Sequence, residues 1–447
     1  MNKKALKTTV KKMVPAVSVA MIATALGFFS LYTSPVPMIK DFGTMLAIGV
    51  VISFVVAVLI LIPALFIRDQ IVPYEKKVKP KQNKRSPFRV LTRWIIKLRF
   101  IILAVALILS ALGLYYDLDA PAETDIETFM PQDLPALEDL RTLRDAVGTT
   151  DQISILYETE DVWSDDTMAW LNETEEVLQT EFSEDIVKVN HLASMLGMME
   201  EMNTESDVTT SASLLPESQI NMFIDEENNI GTMTLGIRYM EAEEKEVFLA
   251  ELTQTLSTLD TEGIDTTITG RSVLDNEMVD GLTSGRFMMT LVGMALVFLA
   301  LLILYRHVIK ALIPLIPIVL IVGWSGLVMY LFDMSYTPIT ATLGALVIGI
   351  GTEFTILIME RYMEEREKGH LPEAAIIIAN EKIGQAIFVS VVTTLAGFSA
   401  LLFSDFVILN NFGMMTVVNI SFAFLSTVIV MPVILLLFDP LFIKKQS

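Results

Sequence analysis

Thr337-Pro-Ile-Thr-Ala-Thr-Leu-Gly-Ala-Leu-Val-Ile-Gly-Ile-Gly-Thr-Glu353-Phe-Thr-Ile-Leu-Ile-Met-Glu360 holds a single charge, Glu353, before Glu360 closes the run. As a helix it is long enough to cross roughly 30 Å of hydrocarbon. Comparable apolar runs recur along the chain. The predicted spans are 14–33, 43–67, 94–116, 286–305, 309–331, 337–360, 385–404 and 411–438. In 447 residues that are 53% hydrophobic, this excludes an ordinary soluble protein. The absence of cysteine excludes a disulfide framework, a zinc-thiolate site and a thiol nucleophile.

The charge is divided unevenly. Asp117 to Gly285 carries 40 acidic and 6 basic residues, whereas the rest of the chain carries 13 acidic and 26 basic. The net charge of -21 argues against nucleic acid as a partner. The basic clusters are Lys3 to Lys12, Lys76 to Arg99, Arg306 to Lys310, Arg361 to Lys368 and Lys444 to Lys445. An even number of spans separates each pair, so all five fall on one side. Basic loops remain cytoplasmic. The expected topology is a multi-pass cell-membrane protein with both termini inside and residues 117–285 outside. The lysine-rich start followed by an apolar run imitates a signal peptide. That run is long for one, Ser34-Pro35-Val36-Pro37 is a poor cleavage site, and a second span follows at once.

A shift of 370 residues lays the first two spans on the last two without a gap. Thr24 meets Thr394, Gly27-Phe28 meets Gly397-Phe398, Leu31 meets Leu401 and Ser34 meets Ser404. Phe42-Gly43 meets Phe412-Gly413, Met45 meets Met415, Phe54 meets Phe424 and Asp69 meets Asp439. Apolarity alone does not explain the matched Gly, Ser, Thr and Asp positions. Residues 1–75 then read as the last hairpin of a first unit, and 76–93 as a basic cytoplasmic linker. Residues 94–116 open a second unit, 117–285 form its outside domain and 286–447 its five-helix bundle. Parallel repeats build their site between halves. The expected partner is therefore a separate chain carrying the rest of the first unit, or a second copy of this one.

Four stretches, in order, carry a family resemblance. They are Phe129-Met-Pro-Gln-Asp-Leu-Pro-Ala-Leu-Glu-Asp-Leu, Ile268-Thr-Gly-Arg-Ser-Val-Leu, Pro314-Leu-Ile-Pro317 and Gly349-Ile-Gly-Thr-Glu353-Phe-Thr-Ile-Leu-Ile-Met-Glu-Arg-Tyr362. Over its whole length the chain resembles the resistance–nodulation–division superfamily, in the branch of the mycobacterial membrane protein large transporters and hydrophobe exporters. The resemblance implies a twelve-span architecture of which this chain supplies spans five to twelve. It also implies a ferredoxin-like extracytoplasmic porter domain. The residues agree with a split βαβ order: strand Gln152 to Tyr157, helix Asp165 to Thr180 and strand Ile186 to Asn190 come first. A polar insertion at Glu200 to Ser213 follows, then strand Thr232 to Tyr239, helix Ala242 to Leu259 and strand Asp265 to Thr269.

Glu353 is the principal candidate. It lies about seven residues, or ~10 Å, inside the cytoplasmic end of its span, where a carboxylate neutralises, pairs or faces a wet cavity. Ala341, Ala345 and Gly349 precede it at steps of four, a small-residue stripe that admits a neighbouring helix, and Gly351 thins the backbone. Such an acid could take up and release a proton. A sodium ion is the alternative, because carboxylate, hydroxyl and backbone oxygens suit a hard cation. In the resembled family this position is Asp followed by Tyr in a proton relay; here it is Glu353-Phe354, so the phenol is lost. Thr393 and Thr394 match the family's relay hydroxyl, or else bond back to their own helix. The competing reading of Glu353 is an acid paired with a base or kept protonated.

Glu360, Arg361, Glu364 and Glu365 read as a solvated helix end. There is no Walker loop, nucleophile elbow or histidine cluster, so no enzyme activity and no cofactor is expected. The function expected is a secondary transporter, or half of one, moving lipids or other hydrophobic compounds on the proton gradient. The alternatives are a non-transporting, lipid-binding scaffold like a sterol-sensing domain and a fragment that works only with a separate first-half chain.

Overall fold

A computed structural model describes residues 3–71, 87–118, 120–149, 151–200, 220–225, 227, 229–240, 242–259 and 263–442. Most of the polar insertion, linker residues 76–86 and the basic pair Lys444 and Lys445 lie outside these residues. The chain divides into two compact units, Met1–Glu123 with Gly281–Ser447, and Thr124–Asp280.

Among the described residues of the first unit, seven helices are long and apolar enough to cross a membrane: Pro37–Ile60, Arg99–Asp117, Gly285–Tyr305, Val308–Leu331, Thr340–Glu367, Pro372–Phe403 and Val407–Leu441. The remaining predicted span is a shorter apolar stretch, Val17–Thr33, in the helix Lys3–Phe29. The third span begins at Arg99 rather than at 94. Before it, Pro87–Lys97 forms a separate helix that buries Thr92 and Ile95 and leaves Trp94 exposed. The fifth, sixth and eighth spans form the buried centre, while the second and seventh are mostly uncovered. Glycine sets the tightest crossing. A Cβ at Gly113 would lie 1.7 Å from the Gly323 carbonyl oxygen, so the third and fifth spans meet backbone to backbone.

The repeat is visible in three dimensions. A Cβ at Gly43 would meet Leu31 Cβ at 2.8 Å, and one at Gly413 would meet Leu401 Cβ at 2.6 Å. Ser34 Oγ accepts the Val36 N–H at 3.2 Å, and Ser404 Oγ accepts the Phe406 N–H at 3.2 Å. Each hairpin has a 3₁₀ turn before its loop, Ser30–Thr33 and Ser399–Phe403, and a π turn in its second helix, Ala57–Leu61 and Ser426–Val430. Phe42 and Phe412, equivalent in the repeat, touch edge to face with ring centres 6.0 Å apart. Two equivalent residues in mutual contact mark a local two-fold axis.

Among the described residues, the second unit holds a five-stranded antiparallel sheet: β1 (Asp151–Thr159), β2 (Ile186–Asn190), β3 (Ile224–Asp225), β4 (Ile230–Ile237) and β5 (Ile264–Thr269). The order is β2-β4-β1-β5, with β3 paired to β4. The two helices Asp165–Glu181 and Ala242–Thr258 make the crossovers, which completes the split βαβ pattern of a ferredoxin-like fold. The first is capped by Ser164, whose Oγ accepts the Thr167 N–H at 3.1 Å. Ile153, Ile155 and Tyr157 alternate into the core from β1. Tyr157 stands opposite Gly231 on β4, where any Cβ would strike its ring. Among the described residues its hydroxyl is buried without a partner, and burial pushes its pKa up to about 12.

Candidate functional site

The sixth span is started by two threonines. The Thr337 N–H donates to Thr340 Oγ1 at 2.7 Å, and the Thr340 N–H donates to Thr337 Oγ1 at 3.1 Å. This reciprocal pair satisfies donors that a helix start leaves open. The helix proper runs Leu343–Glu367.

The small residues on this helix face two different neighbours. Ala345 and Gly349 lie against the first helix: a Cβ at Gly27 would stand 3.5 Å from Gly349 N and 3.6 Å from the Ala345 carbonyl oxygen. Gly351 belongs to the other side, with Ile318 Cγ1 of the fifth span 3.3 Å from where its Cβ would be. Two residues along a helix turn the chain by about 200°, so Gly351 does not thin the backbone beside Glu353. It closes the packing behind it.

Glu353 is half-buried, one turn after Gly349. Among the described residues it has no hydrogen-bond or ion-pair partner. On the same seam Thr24 donates to the Gly349 carbonyl at 3.0 Å and to its own Ala20 carbonyl at 3.0 Å. Thr352 donates to the same Gly349 carbonyl at 2.9 Å. Thr393 and Thr394 are elsewhere occupied. Thr393 donates to Ser390 O at 2.7 Å and Thr394 to Ser390 O at 2.9 Å, both within their own helix. Neither bonds to Glu353. The sequence held the signal for Thr24, because the repeat pairs it with Thr394.

Two further acid sites escaped the sequence reading. Asp117 ends the third span and is buried. Arg286 Nη1 donates to its Oδ2 at 2.6 Å and a second guanidinium nitrogen to its backbone carbonyl. The Tyr336 hydroxyl donates to Oδ1 at 2.7 Å, and the guanidinium lies 4.0 Å over the Tyr336 ring. A cavity of about 40 Å³ adjoins the group, lined also by Thr290, Ser325 and Gly344. At the opposite end of the sixth span, Asp439 of the eighth span accepts Arg366 Nε at 2.8 Å and Nη2 at 2.9 Å. The Tyr362 hydroxyl donates to Asp439 Oδ1 at 2.5 Å. Both ends of the helix are thus clasped by Asp, Arg and Tyr.

The predicted solvated helix end is only partly so. Glu365 is buried, because Arg361, Lys368 and Lys382 converge on its Oε1. The His370 ring also lies 3.4 Å from its Oε2.

Among the described residues, seven helices able to cross a bilayer, a ferredoxin-like sheet inserted in the chain between the third and fourth spans, and an acid within the sixth define a multi-pass membrane protein. The chain belongs to the MMPL family, whose model matches residues 1–94 and 166–444. It is 25% identical over 353 residues to the membrane protein MJ1562 of Methanocaldococcus jannaschii, covering 76% of this chain and 90% of that protein. It is 34% identical over 153 residues to the membrane protein YdgH of Bacillus subtilis, covering 32% of this chain and 17% of that one. Among solved structures, the hedgehog release protein Disp of the water bear Hypsibius dujardini has a TM-score of 0.70 at 14% identity, covering 97% of this chain and 59% of that one. SecDF in its super-membrane-facing form has a TM-score of 0.50 at 16% identity, covering 98% of this chain and 50% of that one. These last two are likenesses of fold, and this chain spans 59% of the first and 50% of the second.

Proposed function

We propose that the protein is a secondary transporter, or half of one, that moves lipids or other hydrophobic compounds on the proton gradient without covalent chemistry. Glu353 is its coupling acid. The observation that carries this reading is a contrast within one helix bundle. Asp117 and Asp439 are each held by an arginine and a tyrosine, whereas Glu353 has no such partner among the described residues. An acid free of a fixed cation inside a span can change its protonation, and acids in such places mark ion pathways. The basic loops support an orientation with both termini in the cytoplasm and the sheet domain outside. A separate first-half chain or a second copy completes the assembly.

The test is flux of a fluorescent phospholipid from proteoliposomes under an imposed pH gradient, with wild type beside Glu353→Gln. The variant should retain only the gradient-independent rate. Equal rates would remove Glu353 from the mechanism, and flux that responds only to a sodium gradient would make sodium the coupling ion.

A further inference from the structure

The two clasps share one chemistry and one helix. On the side from which the chain leaves for the sheet domain, Asp117, Arg286 and Tyr336 join the third span, the fourth span and the segment leading into the sixth. On the far side, Tyr362 and Arg366 of the sixth span hold Asp439 of the eighth. Between them sits Glu353. The backbone strengthens the first link: the Glu123 N–H donates to the Tyr336 carbonyl and the Tyr336 N–H to the Pro121 carbonyl, each at 2.8 Å. The connector that follows Asp117 is therefore zipped to the entrance of the sixth span.

Resting on the proposed transport function, we infer that the two Asp–Arg–Tyr clasps are the gates of the cycle, opened one at a time, which decide from which membrane face Glu353 is reached. Opening a clasp separates a buried ion pair and leaves two charges to be rehydrated. Opening both together is much less favourable than opening either, so the states populate alternately. The clasps are not equally complete. Among the described residues Arg286 Nε is buried without an acceptor, whereas Arg366 places Nε and Nη2 on Asp439 and Nη1 on the His370 carbonyl at 2.6 Å. The unsatisfied donor makes the domain-side clasp the easier one to open. Tyr336, Tyr362, Arg286 and Arg366 are positioning residues, since they act on Glu353 through the helix that bears it.

The chain has no cysteine, so a single reporter thiol reads the gates cleanly. Ile350→Cys places it one turn before Glu353 on a half-buried position. In proteoliposomes whose orientation is fixed by protease digestion of the sheet domain, a membrane-impermeant maleimide is added from one side at a time. Tyr336→Phe removes one hydrogen bond to a charged acceptor and should speed labelling roughly tenfold from the domain side only. Tyr362→Phe should do so from the far side only. Wild type should label faster from the domain side than from the far side. If a variant does not fold, Arg286→Lys or Arg366→Lys replaces it, with the same sidedness expected. Labelling that is unchanged, or raised equally from both sides, overturns the inference, because a merely structural clasp would loosen the bundle without direction. Loss of sidedness with a flux defect in Glu353→Gln rejects the gates alone; preserved sidedness with normal flux in Glu353→Gln rejects the coupling reading alone.

Discussion

The first hairpin, Lys3–Phe29 with Pro37–Val56, and the last, Pro372–Phe398 with Val407–Leu425, are built on one plan and covered differently. Their glycines admit the same leucines, their serines cap the same turns, and their second helices carry π turns at matching places. Yet Gly27 is pressed against the sixth span, while nothing lies within 4 Å of the position a Cβ would take at Gly397. Thr24 reaches across to Gly349, while Thr394 bonds only within its own helix. Local structure is written into each hairpin; the neighbour that makes a residue functional is not.

The comparison can be broken most decisively at the glycines. Gly27→Leu should cost about 3 kcal/mol by overpacking the seam with the sixth span, whereas Gly397→Leu should leave thermal unfolding in detergent unchanged. Equal losses would show that the last hairpin is covered after all. Next in size, Gly43→Ala and Gly413→Ala should each lower stability by about 1–2 kcal/mol, since both clash with an equivalent leucine. A large difference between them would deny the two-fold relation that Phe42 and Phe412 mark. Smallest is the hydroxyl pair. Thr24→Val should cost about 0.6 kcal/mol, the usual worth of a hydrogen bond between membrane helices, and Thr394→Val nothing measurable.

Much of this was legible before the structure. Run length gave the spans, period-two patterning gave β1, β2, β4 and β5, and a lone charge in an apolar helix picked out Glu353. The clasps were not legible, because Asp117 and Arg286 are 169 residues apart and each stands where a charge at a membrane edge is ordinary. Tyr336 and Tyr362 carried no signal of their own, since a tyrosine near a span end is equally ordinary. The choice between Thr24 and Thr394 could not be made either: the repeat gives both the same local sequence, and only the sixth span, packed on one and not the other, separates them. The break before Arg99 went unseen because the amphipathic helix Pro87–Lys97 runs into the apolar span with no helix-breaking residue between them.

The central claim is that Glu353, which has no fixed partner among the described residues, changes its protonation as the protein works. Infrared difference spectroscopy of the reconstituted protein, stepped between acidic and alkaline buffer, reads this directly. The account predicts a carboxylic C=O band that comes and goes with pH in the wild type and is missing in Glu353→Gln; identical difference spectra from the two proteins would contradict it.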